Sequence, residues 1–430
     1  MSRELFRAAI FHTPRNPFRE SNALEVWSDG GLLVEGSRIA AIGNFTDLDR
    51  AHPGADVRDC RGGFLLPGFV DTHIHYPQLR VIGALGQSLL DWLANSALPE
   101  EVRMSEAPYA SQIAREFLHA LAAHGTTTAL VFGAHFDSAM EILFDQALAS
   151  GLTIASGLIV SDRMLRPELY VTPEGAYQQS SRLIRRYHGN GALRYAVTPR
   201  FALSTSEPML EVCQTLMQEH SGLLFQTHIN ENKDEIAQVQ RLFPWAEDYL
   251  AVYQKFGLLG ERSILAHNVW ASDGALCRLA SYGASVSHCP CSNAALGSGL
   301  FSMRRHVAAG VRVSLGTDVG GGTGFGMLKE GLQAYLLQRL SPDCYPLTPA
   351  HLLYLATRAG AQALAMDEAG DLSPGRFADF VYLRPPQGSV LESVCANADS
   401  AERVLSSLFT LAGAESVAET WARGKQVYRQ

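Results

Sequence analysis

The stretch PGFVDTHIHYPQ, residues 67–78, determines how the rest of the sequence is interpreted. After a Pro-Gly break, the apolar residues suit a buried strand, and this strand ends with His73 and His75. Side chains two residues apart on a strand point to the same face, so the two imidazoles are expected to converge. Two neutral imidazole nitrogens on one face can bind a single metal ion. The alternative from this stretch alone is a hydrogen-bonded histidine pair at a strand end.

The middle of the chain alternates short apolar runs with longer amphipathic segments. One such segment, residues 109–125, has a helical pattern and ends at a glycine suited to a helix C-terminus. Eight apolar runs are predicted to be strands: 68–75, 127–133, 152–160, 193–200, 223–230, 263–268, 284–290 and 311–318. Eight strand–helix units predict an α/β fold, a (β/α)8 TIM-like barrel over residues 66–375. This span exceeds the roughly 250 residues typical of the fold, which predicts loop insertions, one of them at residues 79–108.

The two ends of the chain have a different character from the middle. Residues 31–60 contain short β-like runs broken by glycines, and residues 377–383 and 417–429 repeat this pattern. We therefore expect one small, β-rich, sandwich-like composite domain, built from residues 1–65 plus 376–430.

The composition argues against several classes of protein. Hydrophobic residues make up 47% of the 430 residues, as in ordinary globular proteins. The formal charge of 35 − 43 = −8 gives no reason to expect a nucleic-acid partner. No apolar run approaches the ~20 residues of a membrane span, and the first residues lack an apolar stretch of secretory length. We expect a soluble, cytoplasmic protein with neither nucleic acid nor a membrane as partner.

The seven cysteines are odd in number and scattered, which argues against a disulfide framework. Only Cys289 and Cys291 lie close together. A C-x-C pair can bind metal or sense redox state, but no second pair accompanies it. We expect these two residues to be buried structural thiols.

Barrel enzymes carry their catalytic residues at the C-terminal ends of the strands. Five histidine and aspartate residues lie at or near the ends of predicted strands: His73, His75, His228, His267 and Asp318. Each of them alone has a structural explanation, but together they predict one metal site. Glu231 follows His228 by three residues and is expected to reach the water activated by the metal. Asp234 and Glu235 compete for this role, and Glu231 is preferred because it lies nearest the strand end.

Longer motifs resemble a known family. The matching segments are DTHIHYPQ (71–78), LLDWL (89–93), VTPRF (197–201), THINEN (227–232), LAHN (265–268), HCPCSNAALGSG (288–299) and GTDVGGG (316–322). Together they resemble the amidohydrolase superfamily and, within it, the guanine deaminase family. The resemblance runs from about residue 60 to 375. It implies hydrolytic deamination of guanine, a purine base, to xanthine and ammonia by a metal-activated water, and it implies a homodimer.

The resemblance also bears on the number of metal ions. Binuclear relatives bridge two ions with a carboxylated lysine from strand 4, and no lysine occurs in residues 193–200. One ion per chain is therefore expected. Imidazole and carboxylate ligands favour zinc, with iron as the alternative metal.

The resemblance further implies individual roles. Asp318 would accept the proton of the attacking water, Glu231 would move protons to the substrate, and His267 would stabilise the tetrahedral adduct. Substrate contacts are expected from Gln78, Arg200, Phe201, Trp92 and His228. For Arg200 the alternative is a salt bridge at the barrel rim, and for Trp92 it is an ordinary apolar helix position.

Two positions depart from the family pattern. Cys291 stands where the family often has Asn, and Asn230 stands where it commonly has Ser. Neither change removes an expected ligand. Two other functions remain open: the same chemistry on a chlorotriazine, another aminopurine or a pterin, and a non-catalytic scaffold, which would be expected to have lost ligands.

Overall fold

The computed structural model describes residues 3–430, which form a barrel and a separate sheet. The strands are β1 Arg3–His12, β2 Glu25–Glu35, β3 Arg38–Asn44, β4 Asp56–Pro67, β5 Phe69–His75, β6 Thr126–Phe132, β7 Thr153–Gly157, β8 Ile159–Val160, β9 Arg194–Pro199, β10 Leu224–Ile229, β11 Ser263–His267, β12 Ser285–His288, β13 Arg312–Leu315, β14 Phe380–Leu383, β15 Val417–Ala422 and β16 Lys425–Arg429. The α-helices are α1 Phe45–Ala51, α2 Leu89–Trp92, α3 Leu98–Val102, α4 Ala107–Ala123, α5 Asp137–Ser150, α6 Pro173–Tyr187, α7 Glu207–Glu219, α8 Lys233–Leu242, α9 Tyr249–Lys255, α10 Asp273–Ser281, α11 Pro290–Ala295, α12 Met303–Ala308, α13 Met327–Leu340, α14 Pro349–Ala356, α15 Arg358–Ala363, α16 Val390–Ala396 and α17 Ala401–Leu411.

Eight parallel strand positions form the barrel, as the sequence predicts. Their order is β5-β6-β7-β9-β10-β11-β12-β13, and the short β8 continues the β7 position and pairs with β9. These strands are almost entirely buried, as expected for parallel strands covered by helices. The predicted helix over 109–125 is also present as α4, and Gly125 follows it with a φ of +79°.

The barrel closes at its C-terminal end. The amide of Asp318 donates to the carbonyl of His73 over 2.8 Å, and the amide of His75 donates to that of Val319 over 2.9 Å. The first and last strand positions are therefore joined by the backbone of the residues predicted to bind metal. Strand β13 itself ends at Leu315, so Asp318 lies on the connection beyond it rather than on the strand.

The second sheet combines both ends of the chain. Its order is β16-β15-β14-β4-β1-β2-β3, so strands from the N-terminal and C-terminal segments are hydrogen-bonded neighbours. One face has an aromatic cluster in which the rings of Phe6, Phe380 and Trp421 lie 5.0–5.6 Å apart. The predicted composite sheet is confirmed. The division at 65/66 and 375/376 stays a prediction.

The expected insertion over residues 79–108 consists of short helical pieces. It contains α2 and α3, joined by a π-helical turn at Leu93–Ala97. Buried residues of this segment, including Trp92, pack against the C-terminal end of the barrel. Among the described residues no helix is long and apolar enough to cross a membrane.

Candidate active site

The structure brings together the five residues that the sequence predicts to bind metal. Nε2 of His73 and Nε2 of His75 each lie 3.3 Å from Oδ1 of Asp318. Nε2 of His228 lies 3.1 Å from Nε2 of His75, and Nε2 of His267 lies 3.8 Å from Oδ2 of Asp318. All five side chains are buried, and they project from four different strand ends or the loops just after them.

Hydrogen bonds from neighbouring groups orient two of the imidazoles. Nδ1 of His228 donates to the carbonyl of Arg200 over 2.6 Å, and Nδ1 of His267 donates to Oδ1 of Asn293 over 2.9 Å. Each bond places the ring proton on Nδ1 and leaves the lone pair of Nε2 facing the shared centre. Burial also lowers the pKa of His75 and of His228 well below the ordinary value, so both rings are neutral, as metal ligands must be.

The chemistry of this group fits a metal ion. Nε2 of His73 and Nε2 of His267 are buried and have no hydrogen-bond partner among the described residues. Buried polar atoms are normally paired, so two such nitrogens close to one carboxylate form a donor set that fits a cation. The ligand atoms of His73, His75, His228 and Asp318 all lie within 4.8 Å of one another. The sequence analysis did not anticipate that Cys289 forms a second such group with His73 and His267.

The backbone conformation of Asp318 and the charges around it suit a metal ligand. Its φ is +50°, in the left-handed region that is uncommon for residues with a side chain, and His267 has a φ of +69°. Although burial raises the pKa of Asp318, its close interaction with His73 and the charges of His267 and His75 lower it overall. Asp318 is therefore a carboxylate at neutral pH, as a ligand must be.

Glu231 lies beside the metal-binding group. Its Oε2 is 3.5 Å from Nε2 of His267, and its Oε1 accepts a hydrogen bond from Oγ of Ser298 over 3.2 Å. Burial raises the pKa of Glu231 to about 7. A carboxyl group with a pKa near neutrality can both donate and accept a proton, which is the property required of a proton shuttle.

The two competing acids have other positions. Oε2 of Glu235 accepts from the amides of Glu231 and Asn232, and its Oε1 accepts from the hydroxyl of Tyr249, so it caps α8. Asp234 is exposed in the first turn of the same helix. Neither lines the cavity, which favours Glu231.

A narrow cavity adjoins the metal-binding group. Its lining includes every residue predicted to contact the substrate, namely Gln78, Trp92, Arg200, Phe201 and His228. Glu231, His75, His267 and Asp318 line the same cavity. The predicted recognition residues and the predicted proton shuttle thus face one space.

Arg200 is buried and not at the barrel rim. Its side chain is 3% exposed, and Nη1 donates to both carboxylate oxygens of Glu101, over 2.8 and 2.7 Å. Oε1 of Glu101 also accepts from Nε2 of Gln78 over 2.7 Å, and Nε2 of His135 lies 3.1 Å from Oε2. Although burial raises the pKa of Glu101, Arg200 and His135 lower it overall, so the group is charged. The sequence analysis missed both Glu101 and His135.

The structure shows the contacts of the glycine-rich segment and of the two positions that depart from the family pattern. A Cβ on Gly316 would lie 2.7 Å from Cβ of His73, and one on Gly320 would lie 2.5 Å from the carbonyl of Gln78, so close backbone approach excludes side chains there. The amide of Cys291 donates to the buried Glu330 over 3.1 Å. Nδ2 of Asn230 donates to Oδ1 of Asn268 over 2.9 Å, linking the residues after β10 and β11.

A barrel whose strand ends hold four histidines and an aspartate in this arrangement defines a metal-dependent hydrolase. The sequence pattern of the Amidohydrolase family matches residues 64–427, and that of the bacterial imidazolonepropionase-like composite domain matches residues 30–55. The chain therefore belongs to the Amidohydrolase family.

Individual relatives cover the whole chain. A probable guanine deaminase from Deinococcus radiodurans is 54% identical over 432 residues, which is 99% of this chain and 98% of that protein. Solved guanine deaminase structures from Escherichia coli and Bradyrhizobium japonicum are each 35% identical. They match with TM-scores of 0.94 and 0.95 over 100% of both chains.

Proposed function

We propose that this protein hydrolyses guanine to xanthine and ammonia. The observation that carries the proposal is that Arg200, a donor suited to a purine carbonyl, lines the same cavity as Glu231 and the metal-binding group. The 54% identical relative named probable guanine deaminase, and the two solved guanine deaminases, support the same substrate.

The metal-binding residues of the proposal are His73, His75, His228, His267 and Asp318. We propose a single zinc ion, because β9 contains no lysine that could bridge a second ion. When bound, such an ion supplies Lewis acidity that lowers the pKa of water toward neutrality. Iron remains the alternative metal.

The residues of this chain would move the protons. Asp318 accepts a proton from the attacking water, which adds to C2, the carbon that bears the amino group of guanine. Glu231 would protonate a ring nitrogen next to C2, take up the hydroxyl proton of the adduct and deliver that proton to the departing amino nitrogen, so water and guanine become xanthine and ammonia. The proton held by Asp318 would then return Glu231 to its protonated form. The Glu231 pKa of about 7 supports these transfers. His267, within 3.5 Å of Glu231, would stabilise the tetrahedral adduct.

The remaining cavity residues would recognise the base. Among the described residues, Arg200 uses only Nη1 in hydrogen bonds, so its other nitrogens are available to the O6 carbonyl of guanine. Gln78, which shares the Glu101 carboxylate with Arg200, would contact the same edge of the purine. Phe201 and Trp92, both buried in the cavity wall, would pack on the ring, with His228 at its metal-facing side.

The test is a direct assay of the purified protein. Guanine, adenine, a pterin and a chlorotriazine are each incubated with enzyme of measured metal content, and released ammonia and the ultraviolet spectrum of the product are recorded. The expected result is ammonia and xanthine from guanine, with much slower turnover of the other compounds. Preferred turnover of a pterin or triazine, or no xanthine from guanine, would overturn the proposal.

Cellular location, assembly, metabolic role and domain division belong to the same proposal. We propose that the protein is cytoplasmic and acts in purine catabolism, and that it is a homodimer, as the family resemblance implies. We also propose that residues 66–375 form the catalytic domain and that 1–65 plus 376–430 form the composite domain. Light scattering on a sizing column tests the dimer, and a single mass of one chain would contradict it.

A further inference from the structure

Glu101 accepts hydrogen bonds from two of the proposed recognition residues. Arg200 donates through Nη1 to both of its oxygens, over 2.8 and 2.7 Å, and Gln78 donates through Nε2 to Oε1 over 2.7 Å. Nε2 of His135, 3.1 Å away, is the third partner. The side chain of Glu101 is 1% exposed, so these contacts replace water completely.

Glu101 and its three partners come from four separate parts of the fold. Glu101 lies in α3, inside the insertion, whereas Gln78 follows β5, His135 follows β6 and Arg200 follows β9. One carboxylate therefore ties the insertion to three strand ends of the barrel. The insertion does not simply cover the barrel, because it supplies the anion that neutralises the buried guanidinium.

Glu101 does not itself line the cavity. Both of its oxygens are already engaged by protein donors, so it has little capacity left for a substrate group. Its effect on a bound purine must pass through Arg200 and Gln78. A buried side chain with one favourable hydrogen-bond geometry holds that geometry before the ligand arrives.

We propose that Glu101 is a positioning residue that fixes Arg200 and Gln78 for the O6 carbonyl of the purine and thereby sets the preference for guanine over aminopurines that lack this carbonyl. The inference rests on the proposed function. It assigns a role in substrate specificity to the insertion. The strand ends that bind the metal do not supply this role.

A suitable comparison ligand is 2-aminopurine. It keeps the amino group at C2 that would react in guanine, but it has no oxygen at C6. As a purine of similar size it is expected to compete with guanine for the cavity, so its inhibition constant can be measured in the guanine assay. Any group that acts through the O6 contact should affect guanine and leave 2-aminopurine nearly unchanged.

The experiment compares Glu101→Gln with Glu100→Gln in the metal-loaded enzyme. Both changes remove one charge from the same helix, but Glu100 pairs with Arg103 and Tyr109, and it does not contact the recognition residues. We expect Glu101→Gln to raise the KM for guanine about 10²-fold, since small displacements of positioning groups have effects of this size. The inhibition constant of 2-aminopurine and the metal content should stay close to wild type, and Glu100→Gln should match wild type in all three.

The outcomes are distinguishable. A purely structural role for Glu101 would lower the fraction of active enzyme, and hence kcat, with the KM for guanine and the 2-aminopurine constant unchanged; that result overturns the inference. A parallel loss for both ligands also overturns it. If the wild type does not convert guanine, the proposed function fails, and this inference fails with it.

A second variant protects the test against misfolding. Glu101→Asp keeps the charge but withdraws the carboxylate by one methylene. It should raise the KM for guanine less than Glu101→Gln does, without changing the 2-aminopurine constant. If only Glu101→Asp folds, an unchanged KM for guanine in that variant overturns the inference.

Discussion

Oε2 of Glu231 lies 3.5 Å from Nε2 of His267, and both side chains are buried. Although burial lowers the pKa of His267, Glu231 and Asp318 raise it overall, whereas burial raises the pKa of Glu231 to about 7. The pair therefore places an acid that can gain or lose a proton near neutral pH directly beside the metal-binding group. This relationship makes Glu231 the strongest candidate for the proton shuttle.

Glu231→Gln should fold and keep its metal but lose turnover by about 10²–10⁴-fold, the typical contribution of a positioned general acid–base group. The amide preserves the shape of the side chain and its contact with Ser298, but it cannot shuttle a proton. Steady-state kinetics together with elemental analysis measure both quantities. Asp234→Asn is the matched control, since Asp234 is exposed on the adjoining helix. Activity near wild type in Glu231→Gln would assign the shuttle to another acid.

Metal stoichiometry is the next prediction. Elemental analysis of the active enzyme should find one tightly held ion per chain, because the histidine–aspartate group forms one site and β9 lacks a bridging lysine. Removing the ion with a chelator should abolish turnover, and one equivalent of zinc per chain should restore it. Two ions per fully active chain would contradict the mononuclear assignment.

Most of the barrel could be predicted from the sequence because its signals are local. Five of the eight predicted runs end in a polar residue, at the position where a parallel strand of the barrel ends. Asp318 was also identified, although it lies three residues beyond β13. What the pattern did not contain was the left-handed backbone that turns this side chain toward His73 and His75, since a φ of +50° at an aspartate has no sequence signature of its own.

The missed half of the site depends on tertiary contacts. Glu100 and Glu101 are adjacent in LPEEV, and nothing in the spacing says which carboxylate reaches Arg200, 99 residues away. A buried arginine needs an anionic partner, and the insertion after β5 contains acidic residues. These two facts together are the only sequence signal that could have suggested the pair. Asn293 and Ser298 form hydrogen bonds with His267 and Glu231. Both lie in the motif HCPCSNAALGSG, but the sequence alone does not assign them these contacts.

Glu330 predicts how stability changes with pH. It is buried in α13, and burial raises its pKa from 4.5 to about 8. Because the folded state holds the proton more tightly than the unfolded state, this group's stabilisation is complete below pH ~4.5 and is lost as the pH rises through about 8. Over that interval it lowers the free energy of unfolding by up to about 5 kcal/mol.

Glu330→Gln should therefore flatten the decline of stability between pH 5 and 9. Denaturant unfolding at several pH values provides the measurement. The exposed Glu211 on α7 offers the control, because Glu211→Gln removes a carboxyl group without removing a buried one. A wild-type slope retained in Glu330→Gln would show that other buried acids cause the decline.

The last prediction concerns the ion pair of Arg200 and Glu101. At most 3% of either side chain is exposed, so each buried charge depends on the other for compensation. Arg200→Met should lower kcat/KM for guanine without removing the metal. It should also destabilise the fold by about 3–5 kcal/mol, since the buried carboxylate of Glu101 loses its guanidinium partner. Adding Glu101→Gln removes that carboxylate, so the double variant should regain part of the lost stability while remaining a poor guanine enzyme. Thermal unfolding measures stability, and guanine kinetics measure recognition, in the wild type, the two single variants and the double variant. Additive losses of stability would mean that the two residues are not energetically coupled, and unchanged guanine kinetics in Arg200→Met would remove Arg200 from substrate recognition.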